Sequence, residues 1–266
     1  METLNGQVAL ITGSSSGIGQ GIAVAMARAG AKIGINYHGD RDGAKDTLAK
    51  VKEAGSEGLI IQADVSNPDD VQRMFQQTIE TWGTVDILVN NAGMQKDAAF
   101  LEMKYEDWKQ VIDTDLNGQF LCAQQAAKEF VRRGIVNDRS RAAGKIICIS
   151  SVHDMIPWAG HSNYATSKGG VLMFMKTLAQ ELGEKHIRVN GIAPGAIQTA
   201  INEDVWGDPT KKANLLKLIP YPRLGTTEDV GRAATWLASD ESDYIHGHML
   251  YIDGGMTLYP SFVDNG

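Results

Sequence analysis

Short apolar runs alternate with longer amphipathic segments along almost the whole chain of 266 residues. The apolar runs have the length of buried strands, and they lie at 8–12, 32–37, 58–62, 87–90, 145–150, 188–192 and 249–252. The segments between them predict helices near 18–29, 41–54, 68–82, 105–133, 163–184 and 227–239. This alternation is typical of a parallel sheet with helices on both faces and right-handed crossovers.

The same pattern predicts one α/β domain over 1–266, because no linker or low-complexity segment interrupts it. Residues 193–226 are the exception, since they mix proline, glycine and other residues without strand periodicity. A long excursion at the carboxyl ends of parallel strands is a good position for a substrate cover. We therefore expect 193–226 to cover a substrate site.

The charge balance limits the partners of the chain. There are 32 acidic residues against 25 basic ones, a net charge of −7, so a nucleic-acid partner is not expected. No apolar run approaches the roughly 18 residues of a membrane span, and the N-terminus does not resemble a signal peptide. Cys122 and Cys148 lack metal-ligand spacing, and the six histidines form no ligand set. We expect a cytoplasmic protein without a metal, a membrane or nucleic acid.

A glycine-rich turn, TGSSSGIG at 12–19, follows the first predicted strand and opens the first predicted helix. Gly13, Gly17 and Gly19 would let the backbone turn tightly and approach a pyrophosphate at the helix N-terminus. The spacing is G-x-x-x-G-x-G, and a ligand-free βα turn is the alternative. The position in the first strand–helix unit favours a dinucleotide.

The residues after the second strand bear on the choice between NAD and NADP. The chain has Tyr37 and His38 there, so no carboxylate repels a 2′-phosphate and no arginine binds it. His38 could contribute to phosphate binding or could be an exposed loop residue. Asp64, after the third strand, could accept a hydrogen bond from the adenine or lead into a helix that Asn67 caps.

The stretch SNYATSK places Tyr164 and Lys168 four residues apart, one turn of a predicted helix, and Ser151 lies thirteen residues before the tyrosine. A free phenol, with a pKa of about 10, is a poor base at neutral pH. A neighbouring ammonium favours the phenolate. The pair is therefore either an acid–base device or two ordinary helix residues.

Together, TGSSSGIG, NNAG at 90–93, Ser151, YATSK and PGAIQT at 194–199 resemble the short-chain dehydrogenase/reductase family, in the family's order and over nearly the whole chain. The resemblance implies a doubly wound Rossmann-type domain with a seven-stranded parallel sheet. It also implies a nicotinamide cofactor, NAD or NADP, and usually a homotetramer through helices 105–133 and 163–184. SSVHDMIPW at 150–158 and DGGMTLYPSF at 253–262 are similar to the bacterial glucose 1-dehydrogenases of this family, which implies an aldose substrate oxidised at C1.

The resemblance also implies roles for individual residues. Tyr164 would be the general base, Lys168 would favour the phenolate and hold the nicotinamide ribose, and Ser151 would position the reacting oxygen. The implied cofactor-binding residues are Gly13, Ser15, Ser16, Gly17, Ile18, Gly19, Tyr37, His38, Asp64, Val65, Asn90, Asn91, Ala92, Gly93, Tyr164, Lys168, Pro194, Gly195, Ile197 and Thr199. The candidate substrate residues are Gln95, Ser151, His153, Tyr164 and Asn202. Trp158 and Trp206 could line the site, although core packing is the favoured interpretation.

Asp115 departs from the family pattern, which usually has asparagine at this position of DTDLNG. Its main chain could still serve in a proton relay, whereas an ionised carboxylate cannot donate a hydrogen bond and would stabilise a protonated Lys168. Two other functions stay open beside the sugar dehydrogenase: an NADPH-dependent ketone or 3-oxoacyl reductase, and a nicotinamide-binding regulator without turnover.

Overall fold

The computed structural model describes residues 3–258, and the side chains of all of these except residues 201, 204 and 205. Seven parallel strands form one sheet in the order β3-β2-β1-β4-β5-β6-β7. The strands are β1 (Val8–Ile11), β2 (Lys32–Tyr37), β3 (Gly58–Gln62), β4 (Ile87–Asn90), β5 (Gly144–Ile149), β6 (Ile187–Pro194) and β7 (Met249–Ile252). The predicted doubly wound α/β fold is confirmed.

The helices of the described chain cover both faces of the sheet. They are α1 (Gly17–Arg28), α2 (Arg41–Glu53), α3 (Pro68–Trp82), α4 (Tyr105–Ile112), α5 (Gly118–Arg133), α6 (Ser162–Leu182), α7 (Glu203–Trp206), α8 (Pro209–Leu216) and α9 (Thr227–Ala238). One buried cluster includes Ile22, Ile33 and Val230, and the other includes Phe75, Leu88 and Phe130. None of the described helices is long and apolar enough to cross a lipid bilayer.

The predicted helix over 105–133 is present without a break, but its middle is not α-helical. A π-helical turn, Asp113–Asn117, separates α4 from α5. A π turn widens the helix by one residue and commonly occurs at functional sites. Here it carries Asp115, whose side chain is fully buried.

The order of the strands places the site. β1 pairs with β2 on one side and with β4 on the other, so the sheet winds in opposite directions from β1. In an open parallel sheet, ligands bind at this reversal, outside the carboxyl ends of the strands. The glycine turn follows β1, and residues 91–94 follow β4 at the same edge.

The excursion 193–226 contains a 3₁₀ turn at Ala200–Asn202 followed by the short helices α7 and α8. Asp208 caps α8 by accepting hydrogen bonds from the backbone of Thr210 and Lys211. No residue of α8 is buried, so the helix lies over the sheet edge without joining the core. In the stretch 253–262, Tyr259 and Phe262 lie outside the described residues.

Arg188 on β6 closes the C-terminal end of α9. Its guanidinium donates to the carbonyl oxygens of Leu237 at 2.9 Å and Ser239 at 2.8 Å, and the side chain is buried. We expect Arg188→Met to lower the free energy of unfolding by about 3 kcal/mol, because buried carbonyl groups lose charged donors. Denaturant unfolding would measure the loss.

Arg232 provides the control for this substitution. It lies on the exposed side of α9 and pairs with Glu228 one turn away. Arg232→Met should change the unfolding free energy by less than about 0.5 kcal/mol. Equal losses in the two variants would show that Arg188 does not support the helix end.

Candidate active site

The glycine turn has the backbone that a phosphate cradle needs. Gly13 and Gly17 have φ angles of +59° and +55°, in the left-handed region that favours glycine. A Cβ atom on Gly13 would lie 2.8 Å from the Cα of Ala92. A Cβ on Gly17 would point toward Thr199, 3.5 Å from its Cγ2, across the cleft. The turn therefore keeps open the space that a dinucleotide would occupy before the N-terminus of α1.

Two side-chain amides fix this turn to the neighbouring strands. The Nδ2 group of Asn91 donates to the carbonyl oxygens of Thr12 and Gly13, both at 2.9 Å. The Oδ1 atom of Asn36, at the end of β2, accepts from the Gly13 N–H at 3.0 Å. Sequence reasoning missed this role of Asn36. The only signal was its polar side chain in an otherwise apolar strand.

The adenosine corner of the cleft carries carboxylates and one histidine. It is lined by residues 36–40 and 63–66, a described set without lysine or arginine. The side chain of His38 is 76% exposed, and its Nδ1 atom lies 3.9 Å from Asp64 Oδ2. Asn67, and not Asp64, caps α3. Asp40, which sequence reasoning missed, lines the same corner and accepts the Gly43 N–H at the start of α2.

Ser151, Tyr164 and Lys168 line the same cleft as the glycine turn. Tyr164 and Lys168 lie one turn apart on α6, and the Lys168 Nζ atom is 5.3 Å from the centre of the Tyr164 ring. Ser151 is the second residue after the end of β5. Its hydroxyl oxygen accepts a hydrogen bond from the His153 N–H at 3.2 Å. The ammonium of Lys168 therefore lies beside the Tyr164 ring.

Asp115 is the direct ionic partner of Lys168. Its Oδ2 atom lies 3.1 Å from Lys168 Nζ, and both side chains are buried. Its Oδ1 atom accepts the Met94 N–H at 2.8 Å, which ties the π turn to the segment after β4. Burial lowers the pKa of Lys168, but the surrounding acidic groups, Asp115 foremost, together outweigh it and hold the pKa of Lys168 above its ordinary value.

His153 is a half-buried imidazole at the substrate side of the cleft. Its Nδ1 atom lies 3.0 Å from the carbonyl oxygen of Ile156, so this nitrogen donates. Burial lowers the pKa of His153 and favours the neutral ring. The second nitrogen, Nε2, is then an acceptor that can receive a substrate hydroxyl.

The structure corrects the interpretation of the two tryptophans as core residues. Trp158 lines the cleft and is 41% exposed. Trp206 is partly exposed, and its indole N–H donates to the Thr199 carbonyl oxygen. Both lie at the carboxyl edge of the sheet, where the chain has left the core.

The remaining candidates differ in whether and how they line the cleft. Gln95 is exposed at the rim of the cleft. Asn202 lines the cleft, but its amide already bonds to Thr199 and Ile197. The candidates that line the cleft are Gly13, Ser15, Ser16, Gly17, Ile18, Gly19, Tyr37, His38, Asp64, Val65, Asn91, Ala92, Gly93, Gln95, Asp115, Ser151, His153, Tyr164, Lys168, Gly195, Ile197, Thr199 and Asn202. Asn90 and Pro194 do not line it, and Asn90 instead donates to Gln119 behind the sheet edge.

An apolar rim of the cleft was missed by sequence reasoning. It consists of Ile156, Pro157, Leu215, Leu218 and Met256. Three of these residues come from the excursion and from the end of β7, where no periodicity marks them. Among the described residues, no group of three histidine, cysteine or acidic side chains could hold a metal ion.

Comparisons with known proteins agree with this geometry. The family model described as enoyl-(acyl carrier protein) reductase matches residues 13–257. The chain is 42% identical to 3beta-hydroxysteroid dehydrogenase 1 of Eggerthella lenta over 98% of this chain and 97% of the relative. It is 41% identical to glucose 1-dehydrogenase 2 of Bacillus subtilis, with 97% of each chain covered. A gluconate 5-dehydrogenase from Burkholderia cenocepacia, solved with NADP and tartrate, superposes with a TM-score of 0.87 at 34% identity over 96% of both chains.

The fold, the cleft and these relatives define an NAD(P)-dependent oxidoreductase that acts on CH–OH groups. The predicted nicotinamide cofactor fits the residues present, because the glycine turn leaves open the space that Cβ atoms would fill. The chain belongs to the short-chain dehydrogenase/reductase family, as the sequence motifs predicted.

The Asp115–Lys168 pair should influence how kcat/KM depends on pH. Asp115→Asn removes a negative charge that raises the pKa of Lys168. Lys168 should then lose its proton at lower pH. We expect the alkaline limb of the pH profile of kcat/KM for alcohol oxidation to move toward acid by about one unit.

Asp113→Asn is the matched control, because Asp113 lies on the same π turn and pairs with Lys109 instead of Lys168. Its pH profile should coincide with that of the unsubstituted protein. A drop in activity for Asp115→Asn without any movement of the profile would show that Asp115 only supports the fold of the site.

Proposed function

We propose that the protein oxidises an aldose at C1, with D-glucose as the first candidate, and forms the lactone. The observation that carries the proposal is the meeting of Ser151, Tyr164 and Lys168 beside the glycine turn. The 41% identity to glucose 1-dehydrogenase 2 supports the choice of sugar. The acceptor nitrogen of His153, on the same side of the cleft as Ser151 and Tyr164, could accept a hydrogen bond from a second hydroxyl of a polyol.

The chain's residues divide the work of the reaction. Tyr164, as phenolate, would take the proton of the reacting hydroxyl, and Ser151 would hold the oxygen in place. Lys168 would stabilise the phenolate and hold a ribose hydroxyl, with Asp115 keeping the ammonium charged. The nicotinamide, when bound, supplies the hydride acceptor. The N–H groups at the start of α1 would hold the pyrophosphate.

A second candidate substrate is a bulky apolar ring alcohol such as a hydroxysteroid. The apolar rim defined above favours it, because a sugar offers little surface to five such side chains. The cleft has a volume of about 1410 Å³. This is above the roughly 300–1,000 Å³ of sites for a single small ligand, so the cleft has room beside a dinucleotide. The identity to the hydroxysteroid dehydrogenase of Eggerthella lenta points the same way.

The remaining proposals concern direction, assembly and compartment. The chain could run as a reductase of ketones or 3-oxoacyl groups, and the description of the matching family model supports that direction. A cofactor-binding regulator is the weakest alternative, because Tyr164 and Lys168 are both in the cleft. A homotetramer is supported by the exposed apolar Phe120 on α5 and Met173 on α6. The two free, buried cysteines fit a reducing cytoplasm.

One assay tests these alternatives. Purified protein would receive NAD or NADP with D-glucose, other aldoses or hydroxysteroids, and the absorbance of reduced nicotinamide would be followed. We expect turnover of an aldose, and we expect Tyr164→Phe to lower kcat by about 10³-fold or more through loss of the base. Turnover of steroids alone, or only reduction of keto compounds, would contradict the sugar proposal.

Substitution of His38 should change the preference between NADP and NAD. His38→Arg would place a permanent cation 3.9 Å or nearer to the carboxyl of Asp64 and beside the position of a 2′-phosphate. We expect the ratio of kcat/KM for NADP to that for NAD to rise about tenfold or more. His38→Gln is the neutral control and should not raise the ratio, and a flat ratio in both variants would remove His38 from the cofactor site.

A further inference from the structure

The indole of Trp158 lies between two imidazoles in the loop that joins β5 to α6. The ring of His153 stacks on one face, with centres 4.3 Å apart and an angle of 21° between the planes. The ring of His161 stacks on the other face, 3.4 Å away and tilted by only 7°. Because both faces are covered, Trp158 presents its edge to the cleft. The stack is therefore a wall of the site and not a platform for a ligand.

His161 has acceptors at both ring nitrogens. Its Nδ1 atom lies 3.0 Å from the carbonyl oxygen of Ala159, and its Nε2 atom lies 3.2 Å from the carboxylate oxygen Oδ2 of Asp97. A carbonyl and a carboxylate can only accept, so each nitrogen must carry a proton to satisfy them. An imidazolium, which carries a proton on both nitrogens, satisfies both acceptors. A cation lying flat on an indole also gains from the electrons of the ring.

Other charged groups act on this cation. α6 begins immediately after His161, and the positive end of the helix dipole opposes a cation there. The His161 side chain is only 13% exposed, so solvent screens the charge weakly. Asp97 is the carboxylate in contact with it, while the neutral ring of His153 lies on the other face of Trp158. Asp97 therefore carries most of the charge compensation.

Asp97 belongs to a different segment from the stack. It lies in the chain after β4, which also crosses to the loop through the Ala98 N–H and the Gly160 carbonyl oxygen at 3.0 Å. A second crossing runs from Asn163 Nδ2 to the Lys96 carbonyl oxygen at 2.8 Å. Of these three contacts between the two segments, only the Asp97–His161 pair includes a residue of the stack. The ring of His153, at the other end of the stack, is centred 6.4 Å from the ring of Tyr164.

We propose that Asp97 and His161 are positioning residues that clamp Trp158 and, through it, hold the acceptor nitrogen of His153 at the substrate. The clamp joins the segment after β4 to the loop after β5 into one wall. It rests on the proposed function, because it sets how tightly the alcohol substrate binds. Removing the clamp leaves Ser151, Tyr164 and Lys168 in place, so it weakens substrate binding more than the chemical step.

Two substitutions separate the charge of the clamp from its stacking. Asp97→Asn keeps the size of the side chain but removes the charge that favours the imidazolium. His161→Phe keeps a flat ring on Trp158 but removes both N–H donors. For each, we expect the KM of the alcohol substrate to rise about tenfold, with kcat within about twofold and the KM of the nicotinamide cofactor unchanged.

Asp107→Asn is the matched control. Asp107 pairs with Lys96, on the same segment as Asp97, at 2.8 Å and with similar exposure, but it does not contact the stack. Its substrate KM should stay within about twofold of the original value. An equal rise in KM for Asp97→Asn and Asp107→Asn would overturn the proposal in favour of general loosening of the segment.

A second readout does not need a substrate, so it remains decisive if the proposed function fails. An imidazolium on an indole quenches its fluorescence, and subtraction of the emission of Trp158→Phe isolates the Trp158 signal. This signal should change in both Asp97→Asn and His161→Phe, because each substitution removes part of the contact that holds His161 on the indole. Equal Trp158 emission in the original protein and Asp97→Asn would overturn the clamp. Failure of every aldose and steroid would overturn only the proposed function.

Discussion

The hydrogen bonds of Asn36 and Asn91 to the glycine turn are the interactions on which the site depends most. They connect the turn after β1 with the end of β2 and with the segment after β4. The turn needs φ angles that only glycine adopts freely, so it has little intrinsic stiffness. Two amides on neighbouring strands supply that stiffness. The cleft thus has one rigid edge. Thr199 and Lys168 lie opposite residues of this edge.

The opposite edge of the cleft is organised by buried charge. An ammonium as deeply buried as that of Lys168 would be costly without a partner, and Asp115 provides one. The pair also fixes the path of the chain, because the same carboxylate accepts the Met94 N–H. The departure from the family asparagine is therefore a change in electrostatics and not in architecture. A reaction that passes through a phenolate is sensitive to such a change.

The wall formed by the Trp158 stack is also held by an ion pair, Asp97–His161, which is less buried than Asp115–Lys168. One connected unit is formed by Asp97, His161 and Trp158. Both nitrogens of His161 face acceptors, Asp97 comes from another segment, and the indole of Trp158 lies between two imidazoles. Loops that bind substrate have few core contacts, so polar and stacking contacts between the loops define their positions. Together with the apolar rim, the wall gives the site both polar and apolar features. This combination fits a ring alcohol in general better than it fits any single compound.

The sequence predicted the strands closely, because buried parallel strands are continuous apolar runs that need no knowledge of their neighbours. The glycine turn and the Tyr164–Lys168 spacing were also readable, since both depend on residues near one another in the chain. The π turn at Asp113–Asn117 was not readable, because its sequence is compatible with a regular helix and the bulge depends on packing. The exposed position of Trp158 was mispredicted for a related reason. Tryptophan is usually buried, and only the two stacking histidines explain its place.

The sequence by itself thus determined the α/β fold, the family and the identity of Ser151, Tyr164 and Lys168, all of which follow from local patterns in a fixed order. Only the tertiary structure decided which groups meet across the chain: Asp115 with Lys168, Asn36 with Gly13, and Asp97 with His161. These contacts join residues from different strand–helix units, and their distances depend on how the whole sheet twists and packs. Periodicity reports which face of an element is buried, but it does not report which side chains come within 3–4 Å of each other.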